Sequence, residues 1–229
     1  MKKAVILLSG GLDSATTLYY AKHRGYKVHA LIFDYGQRHK KEVKCALKIA
    51  KSAKCPFKLV KIDLPWKGSA LLDKKMKVPR NRRLDSNDIP PTYVPARNII
   101  FLSFAASYAE AVGAQKIFIG ANAVDYSGYP DCRPDFFKAF GKVLVKGLKT
   151  GVEGRKISVE TPLILKTKAQ IVRLGLKLNV PYALTWSCYS GLRRMCGQCD
   201  SCRLRQRGFD AAGIKDPARD PAFRKIEFR

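Results

Sequence analysis

Short apolar runs alternate along this chain with longer stretches in which apolar positions recur every three or four residues. The runs at 3–8, 27–34, 57–63, 115–120 and 157–160 predict strands, and the stretches at 13–24, 39–53, 96–112, 134–148 and 167–178 predict helices. Ala4-Val5-Ile6-Leu7-Leu8 and Ile117-Phe118-Ile119 lack polar interruptions, as strands buried on both faces do. The predicted fold class is therefore α/β, a doubly wound parallel sheet with ligands bound beyond the carboxyl ends of its strands. From about residue 185 the rhythm stops and cysteines and arginines take over, which predicts a catalytic domain over 1–184 and a small C-terminal lobe over 185–229.

A chain of 229 residues suits one full hydrophobic core with a small appended lobe. The basic pair Lys2-Lys3 precedes an apolar run too short for a signal peptide, and no stretch has the length of a membrane span, so the expectation is a cytoplasmic protein. The formal charge of +26 is more than a small substrate requires and leaves a nucleic-acid contact open. Between 64 and 95 no period is visible, and six of the ten residues from Lys74 to Arg83 are basic. That segment reads either as a solvated loop or as a lid or polyanion contact.

Ser9-Gly10-Gly11-Leu12-Asp13-Ser14 falls between the first strand and the first helix. Two glycines let the backbone approach an anion, while Ser14 and the free N–H groups of the helix start supply donors along the helix dipole. The lysine of the nucleoside-triphosphatase loop is missing after the second glycine, and the spacing is not G-x-G-x-x-G. A plain helix-capping turn is the simpler alternative.

Four of the seven cysteines, Cys188, Cys196, Cys199 and Cys202, lie within fifteen residues. Two overlapping C-x2-C hooks completed by Cys188 suit a closed, structural tetrahedral zinc site, although an iron–sulfur cluster would use the same thiols. A further loop, Gly120 to Pro134, follows the fourth strand with small, aromatic and charged residues. There Asp131 and Arg133 would pair with the polar edges of a flat ligand and Tyr126 or Tyr129 would stack on its face, unless the loop is only an ordinary turn.

Ser-Gly-Gly-Leu-Asp-Ser resembles the PP-loop of the ATP pyrophosphatases, whose fold is Rossmann-like. The wider set narrows the resemblance: Val94-Pro95-Ala96-Arg97-Asn98, Tyr129-Pro130-Asp131-Cys132-Arg133-Pro134, Thr161-Pro162-Leu163, Lys168, Thr185-Trp186-Ser187-Cys188 and the terminal cysteine motif. Together these are similar to the 7-cyano-7-deazaguanine synthase family over residues 3 to about 217. The resemblance implies ATP bound along Leu8-Ser9-Gly10-Gly11-Leu12-Asp13-Ser14-Ala15-Thr16-Thr17-Leu18, with Mg2+, and a catalytic set of Ser14, Asp13, Lys168 and Arg97. Asp13 would orient metal or phosphate, and Arg97 and Lys168 would handle anions. His39, just beyond the second strand, would lie near the adenosine or face solvent. The implied reaction converts 7-carboxy-7-deazaguanine and ammonia to the nitrile through an adenylated carboxylate and an adenylated amide, and the implied assembly is a homodimer.

Two other classes compete. A PP-loop enzyme that adenylates a tRNA base would explain the charge, but the chain has no room for a separate RNA-binding module. A non-catalytic zinc-knuckle module would explain the charge and the cysteines but leaves the Ser9–Ser14 loop without a purpose.

Overall fold

The computed structural model describes residues 1–84, 88–124 and 128–219. Five strands, β1 (Lys3–Leu7), β2 (Lys27–Asp34), β3 (Phe57–Lys61), β4 (Lys116–Ile119) and β5 (Ser158–Glu160), form one parallel sheet in the order β3-β2-β1-β4-β5. The strand order reverses between β1 and β4, which makes their carboxyl ends the topological switch point of the sheet.

Alternation along β1 separates two cores. Ala4 and Ile6 point to one face, where Ala15 and Leu18 of α1 (Leu12–His23), Ile49 of α2 (Lys41–Ser52) and Ile171 of α6 (Lys168–Lys177) cover them. Val5 and Leu7 point to the other, under Leu102 and Ala106 of α3 (Arg97–Val112) and Phe140 of α4 (Pro134–Gly147). A single-turn α5 (Lys149–Val152) leads toward β5. Pro134 sits in the first turn of α4, where its missing N–H costs nothing.

The main departure from the sequence pattern lies beyond residue 185. A helix of thirteen residues, α7 (Asp200–Ala212), follows the cysteines, and its Phe209 is fully buried in the same core as Ile6 and Ile171. Buried Arg205 and Gly208 on its inner face break the apolar period that would have marked it.

The 64–95 segment is drawn together by Arg38. Its guanidinium donates to the carbonyls of Ala70 and Met76, both at 2.9 Å, and of Lys74 at 3.3 Å. The segment then reaches the cysteine motif, where the Asn81 N–H donates to the Gln198 carbonyl at 2.9 Å and Arg82 pairs with Asp200 at 3.1 Å. Part of the basic run is thus structural: Arg82 neutralises a buried carboxylate beside the thiols.

Candidate active site

The turn after β1 is organised by two hydroxyls. Ser14 accepts from the Ser9 N–H at 3.2 Å and the Ser9 hydroxyl at 3.0 Å, and donates to the Gly11 carbonyl at 3.2 Å. Gly10 has φ +83°, and a Cβ there would lie 2.2 Å from the Glu42 carbonyl, so the first turn of α2 rests against this loop. On the other side Gly120, just after β4, approaches so closely that a Cβ would stand 2.8 Å from the Asp13 carbonyl carbon. The result is a helix N-terminus clamped between the first turn of α2 and the end of β4, with the positive pole of α1 facing outward.

Lys168 is aimed at this loop by its own helix start. Thr167-Lys168-Ala169-Gln170 is a reciprocal cap: the Thr167 hydroxyl accepts from the Gln170 N–H at 3.3 Å and the Gln170 side chain accepts from the Thr167 N–H at 2.9 Å. Held in this first turn, the Lys168 ammonium donates to both Asp13 oxygens, at 3.1 and 2.8 Å.

A cavity of about 280 Å3 opens over the loop. Leu8, Ser9, Gly11, Leu12, Asp13 and Ser14 line it, as do Arg97 and Lys168. The rest of the expected nucleotide segment supports it from behind. Ala15 and Leu18 face the core, and the Thr16 and Thr17 hydroxyls donate to the Leu12 and Asp13 carbonyls, both at 2.9 Å. Arg97 follows Ala96, whose φ of 55° places a non-glycine residue in the left-handed region immediately before α3, a local strain of the sort found at binding sites. Its guanidinium lies 3.4 Å from the Tyr35 hydroxyl.

The described residues of the expected substrate loop lie partly in the cavity wall and partly outside it. Tyr129 lines the cavity and its hydroxyl lies 3.0 Å from that of Thr92. Asp131 does not line it: its carboxylate accepts from the Asn98 N–H at 3.0 Å, closing the start of α3. Arg133 is exposed and also stands outside the cavity. Tyr126 lies outside the described residues. Cys132 reaches the wall, but burial, followed by the charge of Asp131, pushes its thiol up to about 12, so it is a neutral packing group there.

Four further residues line the cavity, Tyr35, Glu42, Trp186 and Tyr189, of which the sequence motifs singled out Trp186 alone, and that without a role. They come from two segments brought together by folding, the turn after β2 with the start of α2, and the residues on either side of Cys188, the first cysteine of the motif. Burial, the largest influence on Glu42, pushes its carboxyl up to about 7 against the opposing pull of Arg97. His39 is partly buried and stands outside the cavity lining. Its Nε2 lies 2.8 Å from the Cys188 carbonyl and its ring meets Trp186 edge-on.

The sulfurs of Cys188, Cys196, Cys199 and Cys202 all lie within 4.8 Å of one another. A tetrahedral zinc with bonds near 2.3 Å sets sulfurs about 3.8 Å apart, so the cluster has room for that ion and needs little closure. The backbone already treats the sulfurs as thiolates. N–H groups of Ser190 and Cys196 donate to Cys188 at 3.4 and 3.3 Å, and those of Gln198 and Cys199 to Cys196 at 3.4 and 3.3 Å. Contacts with Cys199 and then Cys202, together with these N–H groups, push the Cys188 thiol down. The four-cysteine cluster suggests zinc in a closed structural site.

A glycine-rich anion site at the switch point of a five-stranded parallel sheet defines the PP-loop class of adenine-nucleotide enzymes. The solved NMN synthetase from Francisella tularensis shares this fold, with a TM-score of 0.50 and 18% identity across 99% of this chain and 88% of that one. More specifically, residues 3–213 match the model of the family described as queuosine biosynthesis protein QueC, and the chain belongs to that family. A 7-cyano-7-deazaguanine synthase of Thermoplasma volcanium is 54% identical over 217 residues, covering 94% of this chain and 90% of the relative. One from Nostoc punctiforme is 54% identical over 219 residues, with 94% and 98% covered. Among the described residues no helix is long and apolar enough to cross a membrane.

Proposed function

We propose that the chain is an ATP-dependent ligase that converts 7-carboxy-7-deazaguanine and ammonia to 7-cyano-7-deazaguanine. The observation that carries this reading is the phosphate loop opening, with Lys168 and Arg97, on a cavity in a chain of this family. ATP sits with its phosphates on the Ser9–Ser14 turn, where the N–H groups of the α1 start and the Ser14 hydroxyl bind oxygens. Asp13 would hold a Mg2+ ion, which would supply neutralisation of the phosphate charge when bound, with Lys168 turning from Asp13 to the phosphates. Lys168, next to Asp13, steadies the departing pyrophosphate.

Arg97 holds the substrate carboxylate, one of whose oxygens attacks the α-phosphorus and expels pyrophosphate. Ammonia then attacks the acyl carbon and AMP leaves, giving the amide after loss of a proton. A second ATP adenylates the amide oxygen in the same way, and departure of AMP with loss of the remaining N–H proton leaves the nitrile. The cysteine site takes no step in this sequence; it holds the segment that carries Trp186 and Tyr189. Exposed basic residues such as Lys74, Arg80 and Arg83 lie outside the reaction and leave contact with a polyanion or a second copy of the chain as separate questions.

Pyrophosphate release followed with ATP, Mg2+, ammonium and the carboxylate, against a Ser14→Ala control, tests the proposal. Release that depends on the deazapurine, with nitrile found by mass spectrometry, is the expected result. Release that ignores the deazapurine and answers to added tRNA would replace this reading with adenylation of an RNA base.

A further inference from the structure

Glu42 is the cavity-lining group that the reaction above leaves without a task. Glu42 lines the cavity, and burial and the charges of Arg97 and Cys188, with no hydrogen bond among them, are what act on its carboxylate. The other carboxylate in the lining, Asp13, is engaged by Lys168. A half-buried carboxylate with no donor is costly to keep, and such a group in a binding cavity is matched by a ligand that brings the donors. The cavity thus offers a guanidinium at Arg97, an open carboxylate at Glu42 and aromatic faces at Tyr35, Trp186 and Tyr189.

Two bases enter this site, and their edges differ. Adenine presents an amino donor beside a ring acceptor, so an ionised carboxylate, which only accepts, pairs with it once. A 7-deazaguanine presents two adjacent donors, the ring N1–H and the 2-amino group, which a carboxylate accepts side by side. The same molecule carries an anionic carboxylate at its other end, the complement of Arg97.

We infer that Glu42 is the specificity residue for the deazapurine, accepting the N1–H and 2-amino protons of a 2-amino-4-oxo-pyrrolopyrimidine while Arg97 holds its carboxylate. This rests on the functional reading above and refines it. Asp131, a carboxylate of the substrate loop, is less suited to the role because it stands outside the cavity lining and one of its oxygens accepts from the Asn98 N–H. The neighbouring Arg97 and the paired donors both favour the ionised form of Glu42, so the bound ligand offsets the burial that now opposes it.

The test compares steady-state kinetics of the full-length wild-type and Glu42→Gln enzymes with two carboxylates, 7-carboxy-7-deazaguanine and its analogue lacking the 2-amino group. With wild type the analogue should show a KM about 10- to 100-fold higher, the value of one or two hydrogen bonds to a charged acceptor. In Glu42→Gln the KM for the full substrate should rise by a similar factor, the difference between the two carboxylates should shrink to a few-fold, and the KM for ATP should stay within about two-fold. Equal KM values of wild type for the two carboxylates would overturn the inference without reference to any variant. So would a variant that changes the KM for ATP and keeps the discrimination. Activity of the wild type with the full substrate reports separately on the functional reading, so the two failures are distinguishable.

Discussion

The Trp186 N–H donates to the carbonyl of Gly10 at 2.9 Å, tying the segment that leads into the cysteine site to the second residue of the phosphate loop. The Trp186 indole N–H donates in turn to the Cys188 carbonyl at 2.8 Å, the same oxygen that His39 approaches. Lys41 lies over the Trp186 ring at 4.4 Å. The four-cysteine cluster and the glycine-rich loop are therefore mechanically linked through Trp186.

Loss of the metal should accordingly be felt in nucleotide binding as well as in stability. Cys199→Ser, or prolonged treatment with a strong chelator, removes a ligand of a buried cluster and should cost more than about 4 kcal/mol, a range reached by few mechanisms. For a chain of this size that is a fall in melting temperature of about 10 °C, readable by scanning fluorimetry. Below the new transition the KM for ATP should still be raised several-fold, because the Gly10 carbonyl has lost its anchor. An unchanged KM in the folded variant would separate the two sites.

Gly120 makes a sharper test of the loop geometry. An alanine methyl there would meet the Asp13 backbone at 2.8 Å and the Ser14 nitrogen at 2.9 Å, atoms that cannot move without shifting the anion site. Gly120→Ala should lower kcat/KM for pyrophosphate release about 100-fold, the effect of misplacing reacting groups by about 1 Å. The far-ultraviolet circular dichroism should match wild type, since β4 ends before this residue.

The central strands of the sheet were legible because they are buried on both faces: Ala4 to Leu8 and Ile117 to Ile119 are continuous apolar runs. The phosphate loop was legible because it is local, one turn between one strand and one helix. What escaped depends on contacts between distant segments. Glu42 looks like any helix-surface glutamate until Gly10 packs against its backbone, and the bond from the Asn98 N–H to Asp131 joins residues that the sequence keeps 33 positions apart. The helix from Asp200 was hidden for a related reason, since its inner face is built around an arginine.

That arginine should be a point of weakness. The Arg205 guanidinium, 1% exposed, donates to both Asp216 oxygens at 2.6 and 2.8 Å, to the Thr185 and Ser187 hydroxyls at 2.7 and 3.2 Å, and to the Tyr182 carbonyl at 3.3 Å. Arg205→Met leaves the buried Asp216 carboxylate to the Ala218 N–H at 3.1 Å and to Arg219 at 3.9 Å, without its close ion pair, and should lower the unfolding free energy by about 3–5 kcal/mol in urea titrations. Replacing both charges, Arg205→Met with Asp216→Leu, should recover a large part of that loss, because the cost lies in the orphaned charge more than in the missing attraction. A double variant no more stable than the single would assign the loss to the hydroxyl and carbonyl contacts.

Glu42 gives a pH dependence whose sign follows from its surroundings. In the folded chain its carboxyl is raised from the ordinary 4.5 to about 7, so the folded state holds this proton more tightly than the unfolded state does. Its unfavourable contribution is therefore absent below about pH 4.5, grows between 4.5 and 7, and is constant above. Glu42→Gln removes the titration while keeping the shape. In the absence of ligands, its stability relative to wild type should be near zero at pH 4.5 and rise to about 2 kcal/mol at pH 8, allowing for water that the cavity admits. Scanning fluorimetry across that range should show the variant melting about 5 °C higher at pH 8 and level with wild type at the acidic end. The same comparison with saturating 7-carboxy-7-deazaguanine should erase the advantage, since the bound donors satisfy the ionised carboxylate only in wild type. A difference that is flat with pH would mean that Glu42 is solvated in the free protein and bears no cost there.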